Sequence, residues 1–211
     1  MTHNDDHEYV ANPDAVRLQV TVAHAAAEAR LTVPLAAPAS VAEASRRLVF
    51  RRGPVLDDRT TRSAYWAGLM VYGLEWYGFD YDGIVDTTNA CIANSVAAIS
   101  SDARISFTRR QLELRSRLTV ADQFCQCVKL AEIFVRGRRV RTFVEKKTPV
   151  GDVKARCIDW LEAYHGQLLS LGALARTKLA NKAITDMAAV AEIIGVACRP
   201  YKQQTVKGSD E

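Results

Sequence analysis

Apolar and polar residues alternate with a period of two in one region only, near the start of the chain. VRLQVTV (16–22) alternates strictly and ARLTVPL (29–35) does so over a shorter run, with AHAAAE between them. A period of two places successive side chains on opposite faces of an extended strand, so these runs predict a small β-hairpin over residues 16–39. From Ser40 the period lengthens to about 3.6, the helical value. Ser40 and Glu43 form a capping-box pattern that opens a helix running through Phe50. Gly53, Pro54, Asp57 and Asp58 mark a turn. Further helices are predicted at about 60–77, 84–100, 108–117, 120–135, 149–171 and 174–194. Thr148 offers an N-cap with Pro149 at the first helical position, and Gly195 with Pro200 ends the last helix. The predicted fold is mainly α: a multi-helix, bundle-like domain over residues 40–198. The hairpin is an appendage to it, residues 1–15 a flexible polar arm, and residues 199–211 a flexible polar tail.

Seven of the sixteen aromatic residues lie between Tyr65 and Tyr81. Tyr65, Leu69, Tyr72, Trp76 and Phe79 are spaced four, three, four and three apart, which puts them on one helical stripe and favours core packing. Trp66 and Tyr77 fall off the stripe. They offer surface for stacking bases or meeting a partner subunit, and a second packed helix face accounts for them equally.

Composition narrows the class. A chain of 211 residues, 48% hydrophobic, suits one ordinary domain with a real core. Five cysteines form an odd set without paired spacing, so neither a disulfide framework nor a zinc site is indicated and a reducing compartment is the simpler expectation. The opening MTHNDDHEYV is polar and acidic, unlike a secretory leader, and no apolar run approaches the ~18 residues that span a bilayer. These features predict a soluble, cytoplasmic protein with no membrane partner.

Candidate catalytic chemistry is sparse. Of the four histidines, His3, His7 and His24 lie in the acidic or alanine-rich N-terminal part, and His165 stands alone near the middle of a predicted helix. Cys125 and Cys127 are two positions apart, so a helix turns them about 200° from each other and they cannot share a metal on it. Phosphate-binding loops, dinucleotide fingerprints and nucleophile elbows are all missing from the sequence. The expectation is a protein without catalytic residues, metal or cofactor.

GFDYDGIVDTTNACIANSVAAIS followed by CVKLAEIF, within about 65–134, resembles the HD-domain phosphohydrolases of the alarmone-hydrolysing type. There one helix ends in His-Asp and a later one carries VKLAD. Here Asn94 and Ser95 stand in place of His-Asp, Glu132 in place of the later Asp, and Trp66 or Tyr65 in place of the first histidine. The resemblance implies a hydrolase fold that has lost its metal ligands, acting as a regulatory or interaction domain for a nucleotide or a protein.

Charge gives the sharpest clue. The net charge is +4, yet residues 1–40 carry two arginines against five acids, while 119–211 carry fifteen basic and ten acidic residues. FVRGRRVRTFVEKK (134–147) places four arginines within six positions, with Glu145 the one acid among them. A helix from Val120 should bring Phe124, Val128, Ala131 and Val135 to one apolar stripe and stop near Gly137. The arginines would then sit at a helix C-terminus, where the dipole favours cations, and on the run beyond it. Four such charges repel one another unless an anion is near, so they predict an exposed ridge that grips a polyanion, with a solvated loop as the alternative. Arginine outnumbers lysine 20 to 8, which suits bidentate phosphate contact, although an arginine-rich genome gives the same bias. The functional expectation is a non-enzymatic nucleic-acid-binding protein, RNA favoured. It would self-associate along the polymer as viral coat and nucleocapsid proteins do, in the cytoplasm or in a virion. The contacts would come from Arg136, Arg138, Arg139, Arg141, Lys146, Lys147 and Arg156, with Arg109 and Arg110 on the preceding helix.

Overall fold

The computed structural model describes residues 12–50 and 58–197. The tail at 199–211, most of the arm at 1–15, Pro200 and the turn around Gly53 and Pro54 lie outside the described residues. The fold is mainly α, as the 3.6-residue period requires.

The predicted hairpin is instead a helix, α1 (Pro13–Glu28), followed by a segment of turns and bends, and no strand occurs among the described residues. Asn12 caps it by accepting from the Ala15 amide at 3.1 Å, and Pro13 occupies the first turn. The alternating residues divide between two faces. Val16 and Val20, four apart, are buried, while Leu18 and Val22 point outward at 65% and 61% exposure. An every-second-residue pattern contains an every-fourth pattern, and the alanine-rich AHAAAE that follows favours helix by propensity.

Helix α2 (Pro38–Phe50) starts two residues before the expected cap. It lies against α3 (Asp58–Leu69) so closely that a Cβ on Gly68 would stand 2.6 Å from Ser45 Oγ and 2.9 Å from the Ala42 Cα. The helix expected to continue to residue 77 stops at Leu69. After a short turn, Gly73–Tyr77 forms a π-helical turn, with Tyr77 N donating to Tyr72 O, and Gly78 closes it at φ 76°. Tyr72 is buried and Tyr65, Trp76 and Phe79 are half-buried, so the aromatic stretch is largely core although it is not one continuous helix.

The segment predicted as 84–100 is two helices, α4 (Tyr81–Thr87) and α5 (Ala90–Ile99), because Asn89 caps the second by accepting from the Ile92 amide. Helix α6 (Phe107–Val120) follows. Helix α7 (Gln123–Lys146) runs through Gly137 without a break, against the expected stop there. Gly137 is buried and keeps a negative φ. The helical cost of a glycine, about 1 kcal/mol, is small beside the burial of Ile133, Val140 and Val144 on either side, each contributing roughly 1.5–3 kcal/mol. Helix α8 (Gly151–Leu169) begins two residues after Pro149. A 3₁₀ turn (Gly172–Arg176) takes up the start of the segment predicted from 174, so α9 (Lys178–Ile193) begins later with Thr177 as its cap, and the left-handed Gly195 ends it as the sequence predicts.

Helix α7 is the axis of the molecule, packing on α2, α3, α5, α8 and α9. Between Cys127 and Ile133 it is buried all round. A helix in that position has no polar face to spare, so its charged residues must find partners inside the protein.

Candidate nucleic-acid interface

Lys129, Glu132 and Arg136 are spaced three and four apart on α7, which stacks them on one face of the helix. All three are buried. Lys129 Nζ lies 2.9 Å from Glu132 Oε2. Glu132 Oε1 accepts from Tyr72 Oη at 2.7 Å and from Tyr164 Oη. Arg136 donates through Nε to Pro34 O at 3.1 Å and through Nη1 to Tyr164 Oη. Burial by itself would raise the Glu132 carboxyl, but Lys129 and Arg136, with the two tyrosine hydroxyls, hold it below the usual carboxylate range. Burial pushes both tyrosine hydroxyls well above their ordinary value, so they remain protonated donors. Arg136 is therefore a core residue at 8% exposure. Its expected place on an exposed ridge is corrected: α7 does not end at Gly137, and the guanidinium turns inward to Glu132 and the tyrosines.

Two further arginines of the run are held by carboxylates from distant segments. Arg139 Nη2 lies 2.6 Å from Glu28 Oε2, at the end of α1. Arg141 lies 2.7 Å from Glu145 and 3.1 Å from Asp186 on α9. The dense, unpaired ridge expected from the sequence is thus not what forms. Arg138 is exposed with its guanidinium over the Phe134 ring at 5.7 Å, and Lys146 and Lys147 are exposed near the end of the helix. Arg109 is exposed and paired with Glu113 at 2.9 Å. Arg156 lies 3.9 Å from Asp159, and Arg110 rests over the Phe107 ring.

Six of the nine candidate residues separate into two places. Arg138, Arg139 and Lys146 line an open groove of about 560 Å³ beside α7, with Phe134 and Phe143 in its wall and no carboxylate among its lining side chains. Phe134, Arg138, Thr142 and Lys146 follow one another at intervals of four along that wall, a span of about 18 Å at 1.5 Å per residue. Through Ser40, Phe134 and Val135 the groove meets a second hollow of about 640 Å³, which adds Arg47 and Lys182 along with Glu43. Arg139 has five N–H donors and one carboxylate partner, so it retains donors for a ligand. Arg110, Arg136 and Arg156 border a different cavity, between α6, α7 and α8.

The positions suggested by the phosphohydrolase resemblance each have other partners. Asn94 Oδ1 accepts from Tyr81 Oη at 2.8 Å, and Ser95 Oγ donates to Cys91 O at 2.9 Å. Trp66 packs edge-on to Tyr65 beneath Arg17, and Glu132 is committed to Lys129 and the tyrosines. No group of three His, Cys, Asp or Glu residues is placed to hold a metal among the described residues. Cys125 and Cys127 are buried, and burial, then Asp122, pushes the Cys125 thiol up to about 12. No helix among the described residues is long and apolar enough to cross a membrane.

Sequence reasoning missed the Lys129–Glu132–Arg136 cluster. The only local signal is the +/−/+ order at helical spacing inside the apolar run CVKLAEIFVR, and the same spacing is also common on a solvated helix face. Comparison of the chain with protein-family models, curated proteins and solved structures gives no match.

Proposed function

We propose that the protein is a non-catalytic nucleic-acid-binding protein that takes a short stretch of single strand, RNA in preference, along the α7 groove. The observation that carries the reading is the composition of that groove: Arg138, Arg139 and Lys146 with two phenylalanine rings, and no lining carboxylate. A cationic track interleaved with aromatic rings is what a single strand needs, since the cations follow the phosphates and the rings accept bases irrespective of sequence. Of the nine basic residues singled out from the sequence, Arg138, Arg139 and Lys146 carry the reading. Lys147 extends it at the helix end, while Arg136 and Arg141 act as fixed internal pairs. Self-association along the polymer is part of the proposal, with Leu18 and Val22, exposed on the outer face of α1, as apolar surface that a second copy would cover.

The test is a salt titration of binding to a fluorescein-labelled oligouridylate, read by anisotropy. Each phosphate contact on a single strand contributes a log–log slope of about −0.7, so R138A/K146A should weaken binding and reduce the slope by about 1.4. Both side chains are exposed and the fold should be kept. A folded double variant with the wild-type slope and affinity would refute the reading. Light scattering with and without the oligonucleotide reports the self-association.

A further inference from the structure

The cavity between α6, α7 and α8 is separate from the groove and differently built. It holds about 320 Å³, near the lower end of the ~300–1,000 Å³ range of small-molecule sites. Its inner wall carries Lys129 and Arg136, buried to 5% and 8% exposure, with Gln111, Gln167, Trp160 and Tyr164. Around its mouth stand Arg30, Arg110 and Arg156, with Glu75 and Asp159. The rings of Trp76 and Phe107 complete it.

The charge balance and two unpaired buried donors both favour an anionic acceptor. In the interior, Lys129 and Arg136 have Glu132 as their shared counter-charge, a surplus of one positive charge where buried charges need pairing. With the mouth included, five cations face three carboxylates (Glu75, Glu132 and Asp159), a surplus of two. Lys129 has three N–H donors and is ion-paired with Glu132 Oε2, an oxygen that itself accepts no hydrogen bond, while Arg136 has five donors and bonds to Pro34 O and Tyr164 Oη. Arg110 Nε and Trp160 Nε1 are buried donors that make no hydrogen bond in the protein, and buried polar groups ordinarily do. Gln167 Oε1 is a buried acceptor in the same condition, its amide nitrogen donating to Gln111 Oε1 at 2.7 Å.

We infer that this cavity binds a nucleoside monophosphate, or a phosphate monoester of similar size that carries a planar nitrogenous ring. A phosphate monoester brings a charge of about −1.5 to −2 at neutral pH, which matches the surplus of two better than a single carboxylate would. Its oxygens accept from Lys129, Arg136 and Arg110, the ring lies among Trp76, Phe107 and Trp160, and a ring N–H or amino group donates to Gln167 Oε1. The volume suits one nucleotide. No residue of the α7 groove takes part, so this inference does not depend on nucleic-acid binding there.

The experiment is isothermal titration calorimetry of the full chain with AMP and UMP. Ribose 5-phosphate (phosphate without ring), adenosine (ring without phosphate) and inorganic phosphate are the comparisons. At least one of the two nucleotides should bind at a single site per chain, with each comparison weaker by about tenfold or more. Lys129 and Arg136 belong to the core, so the informative variants are R110Q at the mouth and W160F in the wall, each checked for folding by circular dichroism. R110Q should weaken the nucleotide by about tenfold and W160F by a smaller factor, whereas R138A/K146A should leave it unchanged. Absence of heat with both nucleotides at millimolar concentration would overturn the inference, as would binding indifferent to both R110Q and W160F. Loss of binding in R138A/K146A alone would overturn it too, by placing the nucleotide in the groove.

Discussion

Replacing Glu132 by glutamine keeps the shape of the side chain and removes one negative charge from the centre of the molecule. Glu132 is fully buried, lies 2.9 Å from Lys129 Nζ, and accepts from Tyr72 and Tyr164. The glutamine can still accept from the tyrosines, but Lys129 and Arg136 are left as two buried cations without a counter-charge. Removing one partner of a buried ion pair costs about 3–5 kcal/mol, because the remaining charge stays desolvated and unpaired. With a urea m-value of about 2 kcal/mol/M, the unfolding midpoint should fall by about 2 M. K129M should cost less than E132Q, since Glu132 and Arg136 then remain as a balanced pair and methionine keeps the aliphatic stem in place. K129M/E132Q should be less destabilised than the sum of the single variants, because only Arg136 is left uncompensated. The pH dependence follows from the depressed carboxyl. Stability from Glu132 is present above the unfolded value of about 4.3 and is lost as pH falls through the lower folded value, so the gap between wild type and E132Q narrows below about pH 4. The measurement is a set of urea unfolding curves followed by tryptophan fluorescence. An E132Q midpoint that corresponds to less than ~1 kcal/mol, or a larger loss in K129M than in E132Q, would refute the account of Glu132 as the counter-charge of both buried cations.

G137A should stabilise the protein by up to about 1 kcal/mol, because Gly137 is helical and an added Cβ would meet Asp186 Cβ at an ordinary 3.8 Å; a fall in the thermal midpoint would show that the α7–α9 contact cannot accommodate a methyl group. His24 and His165 both have a pKa lowered, chiefly by burial. The unfolded chain therefore binds the proton more readily, and stability should decline as pH falls below about 6.5. H24Q/H165Q should flatten the urea midpoint between about pH 7 and pH 5, and an unaltered pH slope would count against this origin. Cys91 is exposed while Cys125, Cys127 and Cys157 are buried, with burial pushing the Cys157 thiol up to about 11. In a C198S background, Ellman's reagent should thus modify Cys91 alone until denaturant is added, and fast reaction of a second thiol would contradict the packing around α7.

Those features decided within a few residues were legible in the sequence. The 3.6-residue period from Ser40 onward located helical segments throughout the domain, and the glycine that must adopt a left-handed conformation, Gly195, ends the last of them. The stripe of Phe124, Val128, Ala131 and Val135 faces the core, with Val128 and Ala131 fully buried. At the N-terminus the same kind of local reading chose the wrong period. Residues 16–22 satisfy both a two-residue and a four-residue repeat, and α1 is held by the Asn12 cap and by His24 donating to or accepting from Tyr77 across 53 positions.

What only the tertiary structure decided is the fate of the arginine run. Counted along the chain, Arg136 to Arg141 are flanked by two acids, Glu132 and Glu145, each four positions outside the run. In space, Glu28 comes to Arg139 from 111 residues away, Asp186 to Arg141 from 45 residues away, and Glu132 faces Arg136 from one turn below on the same helix. The opposite charge biases of residues 1–40 and 119–211, suggestive of an external polyanion, are met in part by one another through Glu28 and Arg139. Electrostatic energy depends on distance and on the dielectric in between, and neither quantity exists until the helices pack. Hydrophobic period is a property of the chain's own geometry and so is written in its order; the neutralisation of a charge belongs to whichever segment the fold brings within a few ångströms of it.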